Sequence, residues 1–190
     1  MSEIDIDAPP NARALIVMVH GHDASKDWSF FPWLGEYLCD AGSVAVRFSL
    51  SSEEYAAQVH EVFGVVDRAR SRFRQLPLFL FGHSLGGAIA IVAAREIHNV
   101  TGVITWSAIS HDNVLDAAAQ LRVPLLAVHG AKDETVPIDD ARAITGKAPD
   151  SSLLIVNASH TFNAIDPLVY IPRELEYAAA VSAHFVTAYS

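Results

Sequence analysis

Pro77-Leu78-Phe79-Leu80-Phe81-Gly82-His83-Ser84-Leu85-Gly86-Gly87-Ala88-Ile89-Ala90-Ile91-Val92-Ala93-Ala94 sets an apolar run, a G-x-S-x-G turn and an alanine-rich run one after another. Leu78 to Phe81 has the length and composition of a buried strand, and the residues from Leu85 onward have those of a helix. A serine at a sharp strand-to-helix turn is held in a strained backbone conformation, and side chains two positions to either side would collide. Glycine at 82 and 86 answers that constraint, which makes Ser84 a candidate nucleophile. An N-cap serine ahead of an alanine-rich helix has the same local look, so partner residues elsewhere in the chain must decide between the two.

Working outward, short runs rich in Val, Ile, Leu and Phe alternate with helical patterns along the whole chain. Such alternation marks βαβ units and a parallel sheet covered on both faces. The pattern predicts six strands, at Ala14 to Val19, Val44 to Phe48, Leu78 to Phe81, Gly102 to Trp106, Leu125 to Val128 and Leu153 to Val156. Helices are expected near Phe31 to Ala41, Glu53 to Arg74, Leu85 to His98, Val114 to Gln120, Ile138 to Thr145 and Pro172 to Ala188. Ser51 with Glu54 reads as a capping box before the second helix, and Pro172 suits a first helical turn. Arg68, Arg70, Arg72 and Arg74 close the second helix, where cations complement the macrodipole, and read as a solvated face.

A chain of 190 residues, 51% of them apolar, is expected to form one domain over residues 1–190. The acidic start Met1-Ser2-Glu3-Ile4-Asp5-Ile6-Asp7 lacks the basic and apolar regions of a secretion signal, and the apolar runs are too short for a membrane span. A cytoplasmic protein is the expectation. Thirteen basic against 22 acidic residues give a net charge of −9, which disfavours nucleic acid and anionic membrane surfaces as partners. The one cysteine, Cys39, permits no disulfide within the chain and is expected in the core.

A serine hydroxyl needs a base to take its proton, and the base needs a carboxylate to hold its tautomer. Downstream of Ser84 the strand ending at Val128 runs into His129-Gly130-Ala131-Lys132-Asp133-Glu134-Thr135-Val136-Pro137, which projects a carboxylate from the C-terminal edge of the sheet. The last strand leads into Asn157-Ala158-Ser159-His160-Thr161-Phe162-Asn163. Asp133 is the expected acid and His160 the expected base.

With nucleophile, acid and histidine in that order, the chain resembles the α/β-hydrolase superfamily from Ala14 onward. Gly82 to Gly87 match its elbow, His129-Gly130 with Asp133 and Val136-Pro137 its acid loop, and Ser159-His160-Thr161-Phe162 its histidine loop. The His-Thr-Phe-Asn sequence is similar to the dienelactone-hydrolase-like small esterases. Members that cleave dienelactones carry a cysteine where this chain has Ser84, which weighs against that substrate. The resemblance implies an α/β fold without cofactor, and an oxyanion hole formed by the amides of Leu85 and His22 beside Gly21. His20, His22 and His83 lack the spacing of a tetrahedral ligand set, so no metal is expected. Asp112 is the alternative acid and His111 the alternative base.

Measured against that superfamily the chain is minimal. It begins almost directly at the oxyanion strand, and Trp106 to Leu125 leaves room for one short helix and no cap domain. The expected site is open and suited to small or short-acyl carboxylic esters. Trp28, His83, Gly21 and Trp106 are the expected substrate contacts, with Phe30, Phe31 and Trp33 as further wall candidates. Thioester cleavage, acyl transfer, and a non-catalytic ligand-binding homologue are the alternative functions. The sheet edge left by the missing strands suggests a homodimer.

Overall fold

A computed structural model of the protein describes residues 3–190, so Met1 and Ser2 of the acidic start lie outside the described residues. These residues form seven strands and six helices: β1 (Ile4–Asp7), β2 (Ala14–Val19), α1 (Phe31–Asp40), β3 (Ser43–Phe48), α2 (Tyr55–Arg72), β4 (Leu78–His83), α3 (Leu85–Glu96), β5 (Val100–Trp106), α4 (Asp112–Ala119), β6 (Leu125–Gly130), α5 (Ile138–Lys147), β7 (Ser151–Val156) and α6 (Arg173–Tyr189). The strands make one sheet in the order β1-β3-β2-β4-β5-β6-β7. Every pairing from β3 to β7 is parallel, and β1 alone is antiparallel, with Ile4 opposite Phe48 and Asp7 opposite Ala45. The expected α/β fold with helices on both faces is therefore present. Between β5 and β6 the chain forms only α4 and no cap domain. Among the described residues no helix is long and apolar enough to cross a membrane.

Strand alternation builds two cores. Leu15, Val17 and Val19 point to one face, with Leu78 and Leu80, and pack against α2, α3 and α4; Ile16 and Met18, with Phe79 and Phe81, point to the other and pack against α1 and α6. Near-complete burial of β2 and β4 on both faces explains their continuous hydrophobicity.

The seventh strand corrects the expected count of six. Ile4 and Ile6 pack on the first core, while Asp5 and Asp7 project to the opposite face and meet Lys26 (Asp5 Oδ2 to Nζ, 2.7 Å) and Arg47 (Asp7 Oδ2 to Nη2, 3.2 Å). The Ile-Asp-Ile-Asp alternation is a period-two signal that reads as mere acidity until its cationic partners are known. With β1 in place, the sheet edge expected at β3 is covered.

Three smaller expectations also change. Ser51 and Glu54 form no capping box: Glu54 is itself the residue before α2, its amide donates to the Ser52 hydroxyl at 3.1 Å, and Ser51 donates to the Glu61 carboxylate instead. Arg70 is not merely solvated, since its guanidinium donates to the carbonyls of His98 and Asn99 at 2.8 Å each. Cys39 is half-buried rather than in the core.

Candidate active site

The turn between β4 and α3 has the geometry its glycines require. Ser84 sits at φ 55°, ψ −122°, a conformation unfavourable for a residue with a side chain. A Cβ on Gly82 would collide with the Gly86 carbonyl, and one on Gly86 with the carbonyls of Val19 and His20. Glycine at both positions lets the turn close against the end of β2. The Ser84 amide continues the sheet ladder to the Trp106 carbonyl at 2.8 Å, which fixes the serine at the C-terminal end of the central strands. The following amide, that of Leu85, opens α3 and has no carbonyl four residues earlier within the helix to bond.

The structure brings Asp133 and His160 into contact. His160 Nδ1 lies 2.8 Å from Asp133 Oδ2 and 3.0 Å from Oδ1. Asp133 Oδ1 also accepts the amides of Val136 (2.8 Å) and Thr135 (2.9 Å), an Asx-type closure that aims the carboxylate at the histidine loop. The carboxylate is 1% exposed. Burial pushes its pKa up, but the His160 ring and the two amides outweigh burial and hold it well below the usual carboxylate range. It therefore stays ionised and fixes the proton of His160 on Nδ1, leaving Nε2 as the basic nitrogen.

The alternatives do not reach this cluster. Asp112 is exposed at the start of α4, and His111 is exposed with its ring against Tyr55. Asp23 pairs with the exposed His22 side chain at 3.4 Å, and Asp166 accepts the Ser29 amide at 3.1 Å. Among the described residues no group of acidic, histidine or cysteine side chains is arranged to hold a metal ion.

His160 is seated beside the elbow through His83, whose ring lies 4.8 Å from the His160 ring and whose Nε2 donates to the His160 carbonyl at 3.1 Å. No hydrogen bond of regular geometry links the Ser84 hydroxyl to His160 among the described residues; such bonds commonly tighten only when substrate binds. The loop after β2 comes in from the other side, so close that a Cβ on Gly21 would stand 3.1 Å from Ser84 Cβ. His20 holds that loop: its Nδ1 donates to the Gly21 carbonyl at 2.8 Å, and its Nε2 accepts the Leu50 amide at 2.9 Å. The His22 amide follows directly, and neither it nor the Leu85 amide donates to another group among the described residues.

Two expected substrate contacts prove to be interior. Trp106 is fully buried, with its indole N–H donating to Ser182 Oγ at 3.0 Å and its ring packed on Phe162 at 4.8 Å. The pleat sends Trp106 to the same face as Ile104, into the core beneath α6. His83 is 2% exposed and covered by Trp28 and Phe30, so it touches the histidine loop and not open space. Phe30 and Phe31 are buried as well, whereas Trp28 and Trp33 keep part of their surface accessible.

Reading the residues alone missed a ring of buried polar groups behind Asp133 and His160. His129, fully buried, donates from Nε2 to the Val136 carbonyl at 3.0 Å, with Asp133 Oδ2 at 3.4 Å from the same nitrogen. Ser107, also fully buried, follows Trp106 at a positive φ of 47°, and its hydroxyl lies near the Asp133 carboxylate without a hydrogen bond of regular geometry. The available signal was placement: Ser107 directly follows β5 and His129 is the penultimate residue of β6, both at the edge where Ser84 stands.

Comparison with known proteins agrees with this architecture. A family model described as serine aminopeptidase, S33 matches residues 49–112, the stretch that contains the elbow. Phospholipase YtpA of Bacillus subtilis is 32% identical over 107 residues, an alignment that takes in 50% of this chain and 40% of that protein, so the chain spans well under half of that curated relative. Among solved structures, a dienelactone hydrolase from Anabaena variabilis superposes with a TM-score of 0.88 at 21% identity, covering 99% of this chain and 92% of that one. Est1E from Butyrivibrio proteoclasticus gives 0.82 at 18% identity over 97% and 93%. A monoacylglycerol lipase from Paleococcus ferrophilus gives 0.77 at 18% identity over the full length of both chains. The sheet, the strand-to-helix elbow and these superpositions agree in giving the chain an α/β-hydrolase fold.

Proposed function

We propose that the protein is a serine hydrolase that cleaves small or short-acyl carboxylic esters through an acyl-enzyme on Ser84. The observation that carries this reading is the part-buried Asp133–His160 pair at 2.8 Å beside a serine held at φ 55°. His160 Nε2 takes the Ser84 proton as Oγ attacks the ester carbonyl, and Asp133 stabilises the imidazolium that forms. The amides of Leu85 and His22 receive the oxyanion. Collapse of the tetrahedral intermediate breaks the bond to the alcohol, which leaves with the proton from His160. Water, deprotonated by His160, then attacks the acyl-enzyme, and a second collapse releases the acid and restores Ser84.

The ester class is supported by the names that similar proteins bear, an esterase domain, a monoacylglycerol lipase and a phospholipase among them. The preference for short chains is supported by the single short helix between β5 and β6, which leaves no cap to build a deep acyl tunnel. Intact-mass labelling with a fluorophosphonate, alongside nitrophenyl esters of graded chain length, tests both parts. One adduct on wild type, none on Ser84→Ala, and fastest turnover on acetyl or butyryl esters are expected. Failure of folded wild type to take the label would refute the hydrolase, and a preference for long chains would refute the substrate class.

A further inference from the structure

Among the described residues, the buried side-chain polar atoms without a partner are Tyr55 Oη, His83 Nδ1, Ser107 Oγ and His129 Nδ1. Three of these belong to residues that touch or adjoin the acid and base loops, and two are imidazole nitrogens. An orphaned buried acceptor costs desolvation energy that an apolar ring of similar shape would not incur. What an imidazole supplies in return is its other nitrogen, and in both residues that nitrogen has a specific target. His83 Nε2–H donates to the backbone carbonyl of His160, and His129 Nε2–H to the carbonyl of Val136, whose amide in turn holds the Asp133 carboxylate. Both targets are carbonyls, so both rings carry their proton on Nε2. The loop after β2 is held in the same manner by the buried His20, through Nδ1 and the Gly21 carbonyl.

We propose that His83 and His129 are positioning residues, each fixing through one N–H the backbone of a loop that bears a triad member, so that His160 and Asp133 stay in register. Their uncharged form matters as well as their reach. When His160 takes the serine proton it becomes a cation 4.8 Å, ring to ring, from His83, and a second cation there would oppose the step. Burial first, and the neighbouring His160 second, pull the His83 pKa down to about 3, so the ring stays neutral through the reaction. Phenylalanine could fill either site but could not hold the loop.

This inference rests on the hydrolase reading, and the test separates the two. His83→Phe and His129→Phe remove the donor. His83→Gln and His129→Gln keep an N–H near the position of Nε2. Turnover of a short-chain nitrophenyl ester is measured per site titrated with fluorophosphonate. We expect kcat to fall about 10- to 100-fold in the Phe variants with KM little changed, and to recover in the Gln variants. A role in folding alone would reduce the number of titratable sites and leave kcat per site in place. Phe variants with wild-type kcat per site, or Gln variants that recover nothing, overturn the proposal. Nitrogen-15 spectra of the wild-type imidazoles supply a readout that needs neither the variants nor activity: Nε2–H forms at both residues are expected, and an Nδ1–H form at either overturns it. Unlabelled wild type with both Nε2–H forms present would sink the hydrolase and leave the two loop contacts standing.

Discussion

Two clusters of polar side chains are built into the same sheet, and they are satisfied to different degrees. At the β1 edge, Arg47 is 7% exposed, yet it donates to Asp7 and to the Lys26 carbonyl, with Asp5 and Asp27 each 3.8 Å from its guanidinium. Lys26 pairs with Asp5 and Asp27 in turn. At the C-terminal end of the central strands, by contrast, His83, Ser107 and His129 each leave a buried polar atom unpartnered, and Ser84 and Ser107 both stand at positive φ. Full pairing is what a cluster needs to hold a strand in place. Strain and unmet polar groups are tolerated where neighbouring geometry serves chemistry.

The largest effect should come from relaxing the strained end. Ser84→Gly removes the hydroxyl, and turnover of nitrophenyl esters is expected to fall at least about 10⁴-fold. The same change frees a residue at φ 55° from a cost of about 1–3 kcal/mol, against which the added flexibility of glycine in the unfolded chain takes back about 0.5–1. Urea denaturation should therefore show a variant about 1 kcal/mol more stable than wild type. A variant that is both inactive and less stable would break the contrast, since the elbow would then be a stabilising turn like any other.

Protons should sharpen it next. His83 is held neutral by burial, with a pKa near 3 against an unfolded value of about 6.5, so the unfolded chain binds the extra proton. Its contribution to stability is complete above about pH 6.5 and is lost as pH falls toward 3, at up to about 1.4 kcal/mol per pH unit. His20, lowered by burial as well, acts in the same direction. His83→Gln keeps a donor and drops the titration. Between pH 7 and pH 5 wild type is expected to lose about 2 kcal/mol more than this variant in urea titrations, and equal losses would show that His83 is not the source.

How much of this was open to reading depended on the range of the interaction. The elbow is written in five consecutive residues, and the order of Ser84, Asp133 and His160 needs only a strand before each loop. β1 was hidden because Ile4 and Ile6 alternate with acids whose cations, Lys26 and Arg47, arrive 21 and 40 residues later. Trp106 stands at the strand end nearest the site, but the pleat that buries Ile104 buries Trp106 with it. The roles of His83 and His129 depend on which carbonyl each ring meets, and no spacing encodes that.

The smallest effect should fall on the satisfied edge. Asp7→Asn removes one carboxylate from Arg47 but leaves the Lys26 carbonyl at 3.0 Å and two further carboxylates at 3.8 Å, so the cost should be about 1 kcal/mol rather than the several expected when a buried charge loses its only partner. Arg47 also anchors the loop that carries His22, by way of Lys26, and this is where the two regions could communicate. Two features argue that the disturbance stops short. The Lys26 amide has its own bond to Ser49 Oγ at 3.1 Å, and His20 clamps Gly21 independently, next to the elbow. Turnover per titrated site should therefore stay within about twofold of wild type. A larger fall would mean that the edge cluster sets the position of the His22 amide, and that pairing at β1 serves the site as much as the strand.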